Sequence, residues 1–153
     1  MSKCRDLMTA HPVWCSSTDT VRNAAQLMKR EDVGFLPVVN DREDQKLIGV
    51  VTDRDLVLNL IAEARQPDMT TIADIMTAKP VTCRADDDLE QAISAMAQHQ
   101  IRRVPIVDES EQIVGIIAQA DIVLRIDDPT ATTEVLRKIS KPTPVHPSMA
   151  IAE

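Results

Sequence analysis

Thr52 and Asp55, in the stretch GVVTDRDLVL (49–58), set a hydroxyl and a carboxylate three residues apart just where an apolar run begins. At that spacing each side chain can accept a hydrogen bond from the other residue's backbone N–H, so the pair can start a helix with no ligand present. Sixty-six positions later, GIIAQADIVL (115–124) repeats the glycine, the apolar pair and the aspartate, now Asp121, but carries Ala118 in place of the threonine. The second copy keeps the carboxylate and loses the hydroxyl. A further constellation is cationic: Arg102 and Arg103 in QIRRVPIV, whose guanidinium groups suit phosphate oxygens through paired N–H donors. The matching positions of the first copy are Gly34 and Phe35.

Other chemistries find little to work with. His11, His99 and His146 are scattered, and Cys4, Cys15 and Cys83 lack the close pairing of a zinc or dithiol motif, so no metal is assigned. Cys15 and Cys83 are expected to be buried separately and not bridged. The three glycines exclude a phosphate-binding loop, and no nucleophile and base stand at a recognisable spacing, so an enzyme is not expected. A net charge of −7 with only Trp14 and Phe35 as aromatics argues against a nucleic-acid partner. No apolar run approaches the ~20 residues that cross a bilayer, and the N-terminus lacks a signal-like stretch, so a cytoplasmic protein with no membrane partner is expected.

The segments that must position these residues form a duplication. DLMTAHPVWC (6–15) answers DIMTAKPVTC (74–83), an offset of 68 that also aligns Asp19 with Asp87, Met28 with Met96 and LPVV (36–39) with VPIV (104–107). By Gly49 and Gly115 the offset is 66, so two residues are missing between NDREDQK (40–46) and DESEQ (108–112), where a hairpin tip tolerates them. Each copy reads as strand, helix, strand, strand, helix. Asp19 or Asp87 caps a first helix with apolar residues at Val21, Ala24, Ala25 and Met28, or at Leu89, Ala92, Ile93 and Met96. A second helix starts near Asp53 or Gln119 and carries Leu56, Val57 and Leu60, or Ile122 and Val123. The division is 1–61 for the first repeat, 62–73 for a linker, 74–126 for the second repeat, and 127–153 for a tail. TTEVLRKIS in that tail reads as a short helix capped by threonine, and KPTPVHP as an extended end. The fold class is α/β of the α+β type, with two pseudo-symmetric β-α-β-β-α repeats packed face to face.

Taken together, D-h-M-T, P-V, a helix, a P-V or P-I-V strand and G-h-h-T-x-x-D opening a last helix resemble the CBS domain, named after cystathionine beta-synthase. Two copies in tandem resemble the pair called a CBS or Bateman module. The resemblance implies a regulatory module that binds AMP, ADP, ATP or S-adenosylmethionine in a cleft between repeats, with no cofactor required and an unidentified protein effector. It implies that Asp55 takes the ribose hydroxyls, that Thr52 contacts ribose or phosphate, and that Val13 lies near the base. It also implies that Arg102 and Arg103 reach the phosphates held at Asp55. Asp121 would serve a second cleft, weakened by Ala118 and left without a cation by Gly34 and Phe35. Trp14 and Phe35 either flank the adenine or fill apolar gaps. A ligand-independent dimerisation module is the alternative, and under either reading the surplus of apolar residues on the helices implies a homodimer.

Overall fold

The computed structural model describes residues 2–140; the KPTPVHP segment lies outside them. The elements in chain order are α1 (Cys4–Leu7), β1 (Thr9–Ala10), β2 (Cys15–Ser16), α2 (Val21–Glu31), β3 (Phe35–Val39), β4 (Leu47–Thr52) and α3 (Asp53–Leu56), followed by β5 (Thr77–Ala78), β6 (Cys83–Arg84), α4 (Leu89–His99), β7 (Arg103–Val107), β8 (Ile113–Ala118), α5 (Gln119–Arg125) and α6 (Pro129–Ile139). They form two four-stranded sheets, ordered β2-β3-β4-β5 and β1-β8-β7-β6. In each, a β-branched hairpin occupies the middle (β3 with β4, β7 with β8), and a parallel strand joins it after a helical crossover.

The fourth strand of each sheet comes from the other repeat. Thr9 and Ala10 pair with Ile116 and Gly115, while Thr77 and Ala78 pair with Val50 and Gly49. The hydrophobic cores are exchanged in the same way. Cys4 is buried with Cys83, Met96, Ile117 and Ile122 of the second repeat, and Ile72 and Ile75 are buried with Leu36, Val51 and Leu60 of the first. The repeated glycine is what lets the visiting segment lie close. A Cβ on Gly49 would stand 2.6 Å from the Met76 sulfur and 3.0 Å from the Thr77 carbonyl oxygen, and one on Gly115 would stand 2.5 Å from the Met8 sulfur. His11 and Lys79, equivalent positions each ahead of a proline, take left-handed backbone angles (φ 51° in both) where the chain leaves the visited sheet.

Several local expectations are corrected. The helix caps are Thr20 and Asp88, one residue after the expected aspartates. Asp19 and Asp87 instead accept from the backbone N–H groups of Ser16 (2.9 Å) and Arg84 (2.7 Å), closing the preceding turn. Val57 is exposed although its spacing placed it on the buried face, because beyond Leu56 the helix widens into a π turn over Val57–Ile61 and the apolar phase shifts. The tail helix begins at Pro129, capped by Asp128, whose carboxylate accepts from Thr130 N–H; it packs Val135 and Ile139 into the second core. All three cysteines are free and buried.

Candidate functional site

Thr52 and Asp55 form the reciprocal pair that their spacing suggests. The Thr52 N–H donates to Asp55 Oδ2 at 2.9 Å, and the Asp55 N–H donates to Thr52 Oγ1 at 3.1 Å. Each group retains capacity after this: Asp55 keeps Oδ1 as an acceptor, and Thr52 keeps its O–H as a donor. In the second repeat only half of the arrangement survives, with Ala118 N–H donating to Asp121 Oδ2 at 2.9 Å. This bond accounts for the presence of Asp121 without its hydroxyl partner.

The cleft around Asp55 has a volume of about 400 Å³ and brings Thr52 and Asp55 of the first repeat together with Arg102 and Arg103 of the second. Its other walls include Val50, Lys79, Pro80, Val81, His99 and Ile101. Lys79, Arg102 and Arg103 form no ion pair among the described residues. Three cations thus face one carboxylate, over apolar surface from Val50, Val81 and Ile101. A group with this composition can accept a diol at Asp55, hold a flat apolar ring and neutralise phosphate oxygens.

The second cleft, about 430 Å³, contains Asp121 and Ala118 with His11, Pro12, Val13, Glu31, Asp32, Phe35 and Arg103. Val13 therefore lies beside Asp121 and not beside Asp55, and its repeat counterpart Val81 occupies the expected place. The cause is the strand exchange. β1 pairs with β8 and β5 with β4, so the residues following each exchanged strand line the cleft of the other repeat's aspartate. Nor is the Asp121 cleft without a cation, since Arg103 reaches into both linings. It is nonetheless acidic, with Asp32 held in a left-handed cap at the end of α2 and Glu31 beside it; Glu31 also receives the Arg30 Nε at 3.4 Å.

Sequence reasoning missed Lys79, His99, Glu31 and Asp32. For Lys79 a signal existed, because it stands in TAKPV where the first copy has TAHPV. Phe35 belongs to the walls of both clefts, with the Arg103 guanidinium carbon 6.0 Å from its ring centre. Trp14 lies in neither lining and packs under Arg42, 5.7 Å away.

The family model for the CBS domain matches the chain twice, over residues 4–62 and 72–128. Hypoxic response protein 1 of Mycobacterium tuberculosis is 31% identical over 142 residues, spanning 93% of this chain and 96% of its own length. Its crystal structure with two coordinated zinc ions covers 82% of this chain and 99% of that one, with a TM-score of 0.74. The CBS domain pair of MJ0100, crystallised with 5′-methylthioadenosine and S-adenosyl-L-methionine, is 27% identical, covers 79% of this chain and 92% of its own, and gives a TM-score of 0.70. CBSX2 in complex with AMP is 25% identical, covers 82% and 99%, and also gives 0.70. Among the described residues of this chain no three His, Cys, Asp or Glu side chains gather as a metal ion would require, and no helix is long and apolar enough to cross a membrane.

Proposed function

The chain belongs to the CBS-domain family, as a tandem pair, and from that premise we propose that it is a regulatory module binding an adenosine nucleotide at Asp55. The observation that carries this reading is the convergence of Thr52, Asp55, Lys79, Arg102 and Arg103 on one cleft. In it Asp55 Oδ1 accepts the ribose hydroxyls, Pro80, Val81 and Ile101 face the adenine, and the three cations hold phosphate. The two relatives crystallised with AMP or with methylthioadenosine and S-adenosylmethionine support the adenosyl class, and the cation count favours a phosphorylated member of it. No catalytic group is needed for this task. Nucleotide binding acts on a protein effector by favouring one arrangement of the repeats over another, which requires different affinities in the two states. Three buried thiols suit a reducing compartment, and we assign the module to the cytoplasm.

A second reading, assembly without a ligand, draws on one specific observation. Val57, Leu58 and Ile61 expose 52, 46 and 68% of their surface on the helical turn after α3, forming an apolar row that a homodimer would cover. The two readings are compatible, and calorimetric titration of AMP and ATP into the purified protein separates them. Saturable binding at or below millimolar nucleotide is expected; its absence, with a dimer still seen by light scattering, leaves assembly alone.

A further inference from the structure

Phe35 and Arg103 are the same position in the two repeats, the first residues of β3 and β7. They meet each other between the two clefts, and both appear in each cleft's wall. Had both copies carried arginine, each cleft would own a cation at this place. With one phenylalanine and one arginine there is a single guanidinium for two cavities. Arg103 is exposed, is held by no ion pair among the described residues and lies over the Phe35 ring, so it can turn toward either side.

We propose that Arg103 is a shared charge that couples the two clefts, so that a phosphorylated ligand held at Asp55 draws it away and makes the Asp121 cleft reject a second anion. This rests on the nucleotide reading of the Asp55 cleft. The Asp55 side has Lys79 and Arg102 in addition, so phosphate there collects Arg103 into a triad. The Asp121 side then retains Asp121, Asp32 and Glu31, the last paired with Arg30, and has no lysine or arginine but Arg103 in its lining, an acidic site suited to a neutral or cationic adenosyl compound. Because linkage is reciprocal, an anion forced into the Asp121 cleft must weaken phosphate binding at Asp55 by the same factor.

The test reads each cleft separately, by titrating AMP while following the backbone amide resonances of Thr52 and Asp55 for one and of Ala118 and Asp121 for the other. Wild type is compared with Asp55→Ala and with Asp55→Asn, the latter keeping an oxygen to accept from Thr52 N–H if the alanine variant folds poorly. Emptying the first cleft should tighten AMP at the Asp121 cleft by about tenfold, within the range usual for coupled sites. The gain should vanish when Arg103→Ala is added and when adenosine replaces AMP. An Asp121-cleft affinity that is unchanged by Asp55 substitution, a gain that survives Arg103→Ala, or no AMP at the Asp121 cleft of the Asp55 variants each overturns the sharing of Arg103. Failure of the underlying reading shows elsewhere, as an absence of AMP-induced shifts at Thr52 and Asp55 in wild type, and it removes the coupling as well.

Discussion

The two clefts descend from one motif and differ by matched substitutions. Where the Asp55 cleft has Lys79, His99 and Arg102, the Asp121 cleft has His11, Glu31 and Gly34 at the equivalent positions, while Phe35 and Arg103 line both. The backbone scaffold is held in common, down to the left-handed angles at His11 and Lys79 and the carboxylate bond to the first residue of the motif. Electrostatic character is not. A fold that needs both copies to close its sheets leaves side chains facing the clefts free to diverge. The lack of a hydroxyl at Ala118 is the smaller part of that divergence, since three matched positions around it remove a lysine and an arginine and add a carboxylate.

This contrast is broken most directly at its two aspartates. Asp55→Ala removes charge-assisted hydrogen bonds worth ~1.5–3 kcal/mol each, so AMP affinity by calorimetry should fall roughly ten- to a hundredfold. Asp121→Ala should change the strong site by less than about threefold, and equal losses from the two variants would show that the clefts are alike. A purely structural role for Asp55 predicts instead a lowered melting temperature with nucleotide affinity nearly intact. Next come Lys79→Ala and Arg102→Ala, each expected to weaken AMP by roughly five- to tenfold while leaving adenosine unaffected. Their effect should shrink in high salt, because both side chains are exposed and screened. A loss shared equally by adenosine would mean that these residues pack and do not read phosphate.

A smaller effect sharpens the comparison from the other side. Ala118→Thr restores the missing half of the helix start and should stabilise the protein by about 0.5–1 kcal/mol in a urea titration. It should not create a strong AMP site, because the acidic wall remains. The gentlest test concerns the buried Cys15 thiol in the core of the first repeat. Burial, aided by nearby Asp19, pushes the Cys15 thiol up to about 12 from its ordinary 9.0. The folded state therefore holds its proton across a range where the unfolded chain releases it. This contribution is complete below pH 9 and is lost as the pH rises toward 12. Cys15→Ala should flatten the decline in stability between those values, and an unchanged slope would show that the thiol ionises freely.

Much of this organisation was legible in the sequence because the duplication writes it twice. The Gly49 and Gly115 blocks and the aspartates after them recur in both copies, the arginine pair stands out where the first copy has Gly34 and Phe35, and the structure brings Thr52, Asp55, Arg102 and Arg103 into one cleft. What stayed illegible was anything decided by the two-residue strands β1 and β5. Such short segments carry no alternation to reveal a partner, and their partners lie on the other copy, at Gly115 and Gly49. Val13 accordingly lies in the cleft of Asp121, and the only sign of Lys79 in the sequence is its alignment with His11. Glu31 and Asp32 look like the ordinary polar end of α2 until the left-handed cap turns them toward the Asp121 cleft. Asp128 caps α6 because Pro129, suited to the first helical position, starts the helix ahead of the TTEVLRKIS stretch.

The exchange of β1 and β5 also bears on how such a chain arises and how it comes apart. A chain carrying a single copy would have a sheet one strand short and a leading segment with nowhere to go. Two such chains would satisfy each other by lending those segments, as a domain-swapped pair. Tandem duplication joins the swapped partners through residues 62–73 and turns an association that depended on concentration into one that does not. Severing that connection should leave two fragments that fold only together, each completing the other's sheet.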